Sequence, residues 1–269
     1  MKKNKFLAIA LTALLFTSCG DYNKVLMSSD NEFKYKRAVE YYNSKDFTKS
    51  SQILNDLVRV YNGTSKADDV YYYLAKSYMG QKDYLSAGTY FKRLVKEYPR
   101  SEFAEESQFM VGYCFYLDSP KPRLDQTVTE QGIDALQLFI NLFPSSSRVE
   151  EATRLIDEMR DKMAYKAFLN AKLYYDLGYY KSSVVALTNC IKDFPETKYR
   201  EELMFMLLKS KFLLAVNSIE DKKRERASTA LDEYYTFIDE FPKSQNRKEA
   251  ERLFNELSKM NKTEDKNAQ

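Results

Sequence analysis

An aromatic residue followed by proline recurs four times, as Tyr98-Pro99, Phe143-Pro144, Phe194-Pro195 and Phe241-Pro242, at spacings of 45, 51 and 47 residues. Proline has no N–H and clashes with the preceding helical turn. It also drives the residue before it out of the α region, so each step ends a helix and prevents its fusion with the next. Tyr61-Asn62-Gly63 is an earlier counterpart without proline. A short polar stretch follows each step (Arg100-Ser101, Ser145-Ser146, Glu196-Thr197, Lys243-Ser244) and is expected to cap the following helix. A chain punctuated in this way is built from repeated units.

A second punctuation lies inside the units. Ser44-Lys45-Asp46-Phe47, Gln81-Lys82-Asp83-Tyr84 and Leu177-Gly178-Tyr179-Tyr180 read as tight turns ending in an aromatic. Three residues beyond each aromatic stands a small residue (Ser50, Ala87, Ser183), and four further on a large apolar one (Leu54, Phe91, Leu187). Ala38, Ala75, Gly112 and Ala171 supply the small position of the leading helices. The pattern resembles the latter half of the tetratricopeptide repeat, with a longer period and no Trp. The expected fold is all-α: a solenoid of about five divergent tetratricopeptide-like helix pairs plus a C-terminal capping helix. Seven Gly and six Pro are too few for an all-β chain, which needs a turn residue every ~8–12 positions.

The expected helices run over 32–44 and 46–61, 67–80 and 83–98, 102–117 and 127–143, 147–177 and 180–194, 198–218 and 222–241, with a last helix over 244–260. A loop over 118–126 interrupts the third pair, and 261–269 reads as a disordered tail.

The chain begins with an address. Met1-Lys2-Lys3-Asn4-Lys5 is positive, and Phe6 to Phe16 is an apolar run. That run is too short to cross a bilayer, which takes ~20 residues, and has the length of a secretory signal. Leu15-Phe16-Thr17-Ser18-Cys19 resembles a bacterial lipobox. The expected organisation is therefore a lipoprotein signal over 1–18, a lipidated tether over 19–31 starting at acylated Cys19, and the helical repeats over 32–260. Cleavage removes three of the 42 basic residues and leaves 39 against 39 acidic ones, so nothing overall basic remains for nucleic acid.

The chain has no His, the commonest general base and zinc ligand. No convergent carboxylate pair stands out either, and the reading is a binding or scaffolding protein: not an enzyme, with no catalytic residues, no metal and no cofactor. Cys114 and Cys190 sit in apolar helical patterns as expected buried thiols, and their pairing is open. A starch-utilisation SusD-like glycan-binding lipoprotein is the alternative function. Such chains are normally much longer, and flat sugar platforms favour Trp.

Periodicity also draws a surface. Counting three before, one after and four after Ala38, Ala75 and Gly112 places Tyr35, Val39, Tyr42, Tyr72, Lys76, Met79, Phe109, Tyr113 and Tyr116 on one inner helix face. Aromatics at this spacing serve either a peptide groove or interhelical core. Lys222-Lys223-Arg224-Glu225-Arg226 reads as a solvated helix start or as a site for an acidic partner.

The proline-bearing loop entering Asp125-Gln126-Thr127, with Thr129, Ala135, Leu136, Phe139 and Pro144 behind it, resembles the BamD family of outer-membrane assembly lipoproteins. The resemblance spans the whole mature chain. It implies a non-enzymatic scaffold of the β-barrel assembly machine, lipid-anchored to the periplasmic face of the outer membrane. The implied partners are BamA, other assembly-machine subunits and the C-terminal strand of unfolded outer-membrane β-barrel proteins. The tyrosine face would then be the client groove, with Lys76 neutralising the client carboxylate, and Arg200 would belong to the BamA contact.

Overall fold

The computed structural model describes residues 21–262. The signal over 1–18, Cys19 and all but the first two residues of the 261–269 tail lie outside the described residues. Within them the chain is all-α, with a short helix over 21–27 followed by five helix pairs and a final helix: α1 Asn31–Asn43 with α2 Phe47–Tyr61, α3 Ala67–Gly80 with α4 Tyr84–Glu97, α5 Ala104–Asp118 with α6 Thr127–Leu142, α7 Val149–Asp176 with α8 Tyr180–Asp193, α9 Arg200–Val216 with α10 Glu220–Glu240, and α11 Arg247–Lys262. The ends of α1 to α11 fall within three residues of the expected ones.

The chain forms two compact units. Unit 1 is the chain to Ser119 plus Thr127–Ile156; unit 2 is Pro120–Gln126 plus the chain from Asp157. In unit 1 each helix from α1 to α6 packs on the next, and α1 also touches α3. In unit 2, α8 packs on α9, α9 on α10, and α11 on both α9 and α10.

One turn recurs between the units of the repeat. Tyr98, Phe194 and Phe241 end their helices at φ/ψ near −129/60, −130/64 and −124/62, the extended backbone demanded by the proline that follows. Each aromatic N–H still closes the last helical bond: Tyr98 to the Leu94 carbonyl at 2.7 Å, Phe143 to Phe139 at 2.9 Å, Phe241 to Phe237 at 2.8 Å. The hydroxyl residue three places on folds back, its N–H donating to the aromatic's carbonyl: Ser101 at 3.0 Å, Ser146 at 3.0 Å, Thr197 at 3.3 Å, Ser244 at 3.1 Å. Thr64 does the same at Tyr61, with Gly63 at φ +77 in place of the proline-led turn. The hydroxyls differ from the expected helix caps. They accept from the N–H two residues on (Phe103, Arg148, Tyr199, Asn246), so they shape the turn, and α3, α5 and α9 start without a side-chain cap.

The inner turns share another device. Asp46 N–H reaches the Tyr41 carbonyl, Asp83 the Tyr78 carbonyl and Tyr179 the Tyr174 carbonyl at 2.8–3.0 Å, with the middle residue left-handed: Lys45 at φ 64, Lys82 at φ 63, Gly178 at φ 76. These are Schellman caps, two of them carrying lysine where glycine is the usual choice. Asp46 and Asp83 then cap α2 and α4 by accepting from Lys49 and Ser86 N–H at 3.3 and 3.0 Å.

The small positions are where helices approach. Ala38, Ala75 and Ala171 are fully buried, and Ser50–Ser77 and Ser183–Ser210 hydroxyls bond across helix pairs at 2.9 and 3.0 Å. In unit 1, the α3–α2 contact is thus built as the α9–α8 contact is in unit 2. Within the stretch expected as a tether, 19–31, residues 21–27 form a helix whose Val25 is fully buried with Ala38, Leu54 and Leu57. The terminal helix buries Ala250, Leu253 and Leu257 against Phe205, Leu208 and Phe237, as a cap on unit 2 should. Cys114 and Cys190 are both buried and unpaired with each other; burial pushes their thiols up to about 12 and about 11.

Gly112 of α5 faces α6 so closely that a Cβ would lie 2.5 Å from Leu136 Cγ and 3.0 Å from its backbone nitrogen. Helix propensity alone favours alanine there by ~1 kcal/mol, but overpacking costs ~1–3 kcal/mol. Gly112→Ala should therefore lower the urea midpoint with helicity retained; a raised midpoint would show that α6 retreats without cost.

Candidate functional site

The leading helices of unit 1 bring tyrosines together as a connected surface. Tyr73 is its hub: its ring lies edge-on to Tyr35 at 6.4 Å, Tyr42 at 5.4 Å and Tyr72 at 5.6 Å. Tyr72 in turn stacks on Phe103 at 4.2 Å. All five rings are partly exposed, whereas their neighbour Tyr71 is fully buried towards Tyr90 and Tyr98. Val39 and Met79 are half-buried on the same helices. The counting rule found Tyr35, Tyr42 and Tyr72 but missed Tyr73 and Phe103. The Tyr71-Tyr72-Tyr73 run holds more aromatics than one helical stripe can use, and Phe103 precedes α5 altogether, where helical periodicity has no reach.

Electrostatics fix the surface. Glu106 accepts from the Tyr72 hydroxyl at 2.7 Å and from Lys76 Nζ at 3.1 Å. Burial by itself would raise the Glu106 carboxyl, but the Tyr72 and Lys76 bonds and the nearby Arg148 charge hold it below the ordinary value. Burial first, then acidic neighbours, pushes the Tyr35 and Tyr72 phenols up, so both stay neutral donors. Lys66 Nζ sits 5.4 Å over Tyr35 and pairs with Glu32. Asp69 is raised by burial and by Asp68 and Glu102, so the rim around Tyr35 and Tyr73 is acidic. Lys76, expected to meet a client carboxylate, is committed to Glu106 and to the face of Tyr72 at 5.6 Å.

The third leading helix behaves differently. Phe109 is buried, 1% exposed, between Phe139 at 5.4 Å, Tyr113 at 5.9 Å and the Arg148 guanidinium at 4.6 Å. It belongs to the interhelical core and offers no groove surface. Tyr113 and Tyr116 continue the same stack, 6.0 Å apart, and are half-exposed. The loop ahead of α6 is shaped by Gln126, 4% exposed, whose amide donates to the Lys121 and Leu124 carbonyls at 2.9 and 3.2 Å. Lys166 also donates to the Leu124 carbonyl at 2.9 Å, so Gln126 of the Asp125-Gln126-Thr127 signature works as loop architecture.

In unit 2, Arg200 opens α9 and is held by Glu240 of α10 through a side-on bidentate pair, Nε and Nη2 each donating to one carboxylate oxygen, while Nη1 donates to the Pro195 carbonyl at 3.3 Å. The hydrogen bond to Glu240 raises its already high pKa. Beside it lies a recess of about 480 Å³ lined by Lys198, Tyr199, Glu202, Phe205 and Lys209 but not by Arg200. Its lining residue Lys209 pairs with Glu249 of α11 at 3.2 Å. Among the described residues no group of His, Cys, Asp and Glu suits a metal ion, and no helix is long and apolar enough to cross a membrane.

The family model described as outer membrane lipoprotein (YfiO) matches residues 27–225. The chain belongs to that family. A putative outer membrane protein assembly factor BamD of Aquifex aeolicus is 25% identical over 248 residues, 91% of this chain and 80% of that one. An outer membrane protein assembly factor BamD of Caulobacter vibrioides is 24% identical over 150 residues, covering 56% of this chain and about half, 48%, of the other. Among solved structures, a chain of the TPR2AB-domain:pHSP90-complex of yeast Sti1 aligns at TM-score 0.38 and 14% identity over 86% of this chain and 99% of that one.

The folded pKa of Glu106 lies below its unfolded value near 4.5, so its stabilising contribution is complete above 4.5 and disappears as pH falls through the lowered value. Glu106→Gln should cost ~1–3 kcal/mol at neutral pH by urea denaturation, the worth of hydrogen bonds to a charged group. The difference between parent and variant should close in acid. A difference independent of pH would mean that the carboxylate charge is not what stabilises the pair.

Proposed function

We propose that this BamD-family chain is a non-enzymatic, lipid-anchored scaffold for outer-membrane β-barrel assembly, standing at the periplasmic face of the outer membrane. In this reading unit 1 receives the C-terminal strand of an unfolded barrel protein and unit 2 docks BamA and its associated subunits. The observation that carries the client half is the partly exposed ring network Tyr35–Tyr73–Tyr42 with Tyr72 and Phe103. A β-strand presents alternating apolar side chains and backbone polar groups, and tyrosine supplies ring faces and hydroxyls for both.

The acidic rim and the Lys76–Glu106 pair turn the strand around. Its aromatic and apolar side chains meet the tyrosines, while its carboxylate points away from Asp68, Asp69 and Glu102. Affinity suited to handover is on the order of micromolar, about 8 kcal/mol. Tyr42→Ala with Tyr113→Ala leaves the Glu106 bonds intact and should raise the peptide Kd roughly tenfold, as loss of aromatic anchors does. Amidating the peptide's C-terminus should not weaken binding. A double variant that binds like the parent places the client site elsewhere.

For the BamA half, Arg200→Glu alone would confound two effects, since it also sets two carboxylates face to face in unit 2. Arg200→Glu combined with Glu240→Arg restores the internal pair with the charges exchanged. If Arg200 contributes its charge to the contact, the exchanged protein should fold like the parent yet recover less BamA in a mild-detergent pull-down. Full recovery of BamA with the exchanged pair removes Arg200 from the contact.

A further inference from the structure

We propose that the helix over 21–27 is a clamp that shortens the link between unit 1 and the acyl anchor at Cys19, so that the end of unit 1 bearing Asp21 rests at the lipid headgroups. The proposal builds on the reading of Cys19 as the acylated residue and adds to it the height at which the protein stands.

The clamp is visible in its contacts. Val25 is 0% exposed and shares a core with Ala38 of α1 and Leu54 of α2. Tyr22 packs edge-on against Tyr41 at 5.9 Å, donates its hydroxyl to the Gln52 side chain, and lies 5.7 Å beneath Lys49 Nζ. Asp21, the first described residue, pairs with Arg37. At the other end Ser28 Oγ accepts from Asp30 N–H at 3.1 Å and Asp30 caps α1 through Phe33 N–H at 2.9 Å, so the chain runs into the first helix without a slack stretch.

Distance makes the consequence large. A coil running from Gly20 to α1 would let unit 1 wander roughly 20 Å from its anchor. With the helix docked, only two peptide steps separate Cys19 from Asp21, a reach of at most ~7 Å. A short link to a rigid body limits tilt as well as height. The occupant of the Asp21 end is therefore the bilayer in which the acyl chains are inserted, and the tyrosine surface of unit 1 is carried at a set distance from it.

The test measures height. Lys36, exposed on α1, is changed to Cys and labelled with a donor; Cys114 and Cys190 are buried and not competing. The acylated protein is reconstituted into phosphatidylethanolamine/phosphatidylglycerol vesicles carrying a headgroup acceptor. Two variants are compared with the parent: Tyr22→Ala with Val25→Asp, which undocks the helix, and a Gly/Ser linker of about twelve residues inserted between Gly20 and Asp21, which leaves the dock intact. Energy transfer should fall roughly twofold in both, because both give the anchor a flexible reach of ~20 Å. Equal transfer in the parent and the linker variant, with acylation of Cys19 verified by intact mass, overturns the clamp alone. An unmodified Cys19 in the membrane-bound parent overturns the anchor reading and the clamp with it.

Discussion

The turn built from an aromatic, a proline and a hydroxyl residue is what the rest of the structure depends on. Its backbone is dictated locally: proline forces the aromatic out of the helix, and the hydroxyl residue's N–H returns to the aromatic carbonyl. The aromatic ring anchors the turn: Tyr98 reaches Tyr71 of α3 at 5.9 Å, Phe143 and Phe241 pack back on Phe139 and Phe237 one turn up their own helices at 5.8 Å, and Phe194 and Phe241 join the packed cores of unit 2. A helix of ~15 residues is marginal alone in water, and stacking one hairpin on the next supplies the missing burial. The same device is used in both units, which accounts for a common architecture on little shared sequence between repeats.

The tyrosine surface follows from α1 lying beside α3, which crowds the Tyr35 and Tyr42 rings of α1 against Tyr73 of α3. Crowding alone would leave hydroxyls and carboxylates stranded. Glu106 resolves it by taking both the Tyr72 proton donor and the Lys76 ammonium, which leaves the surface neutral at its centre and acidic at the Asp68, Asp69 and Glu102 rim. A surface of neutral aromatic donors with a negative edge suits an apolar strand and opposes a carboxylate near the rim.

Two residues with proposed roles turned out to have internal partners. Lys76 and Arg200 each hold a carboxylate on a neighbouring helix, so removing either also disturbs its own unit. The Arg200–Glu240 pair, about a third exposed, is of the kind worth ~0–1 kcal/mol, small beside the core, so exchanging its charges should preserve the fold; Glu106, which also takes the Tyr72 hydroxyl, is worth more.

Much of the fold was legible because its signals are local. Proline after an aromatic, Asp46 and Asp83 at helix starts, and small residues at Ala38, Ala75 and Gly112 each act within a few residues, so helix ends and close-packing positions follow directly from the chain. What depends on neighbours across space was not legible. Val25 reads as tether until α1 and α2 are present to bury it. Phe109 shares its spacing with Tyr35 and Tyr72, yet α6 brings Phe139 over its ring and Arg148 covers it, so it belongs to the core. Tyr73 becomes the hub only because α1 lies beside α3. The sequence by itself determined where each helix stops and which face it turns inward, since covalent geometry and hydrogen bonding settle those within one turn. Only the tertiary structure decided which inward side chains remain in reach of a partner, because exposure belongs to the packed neighbours as much as to the residue.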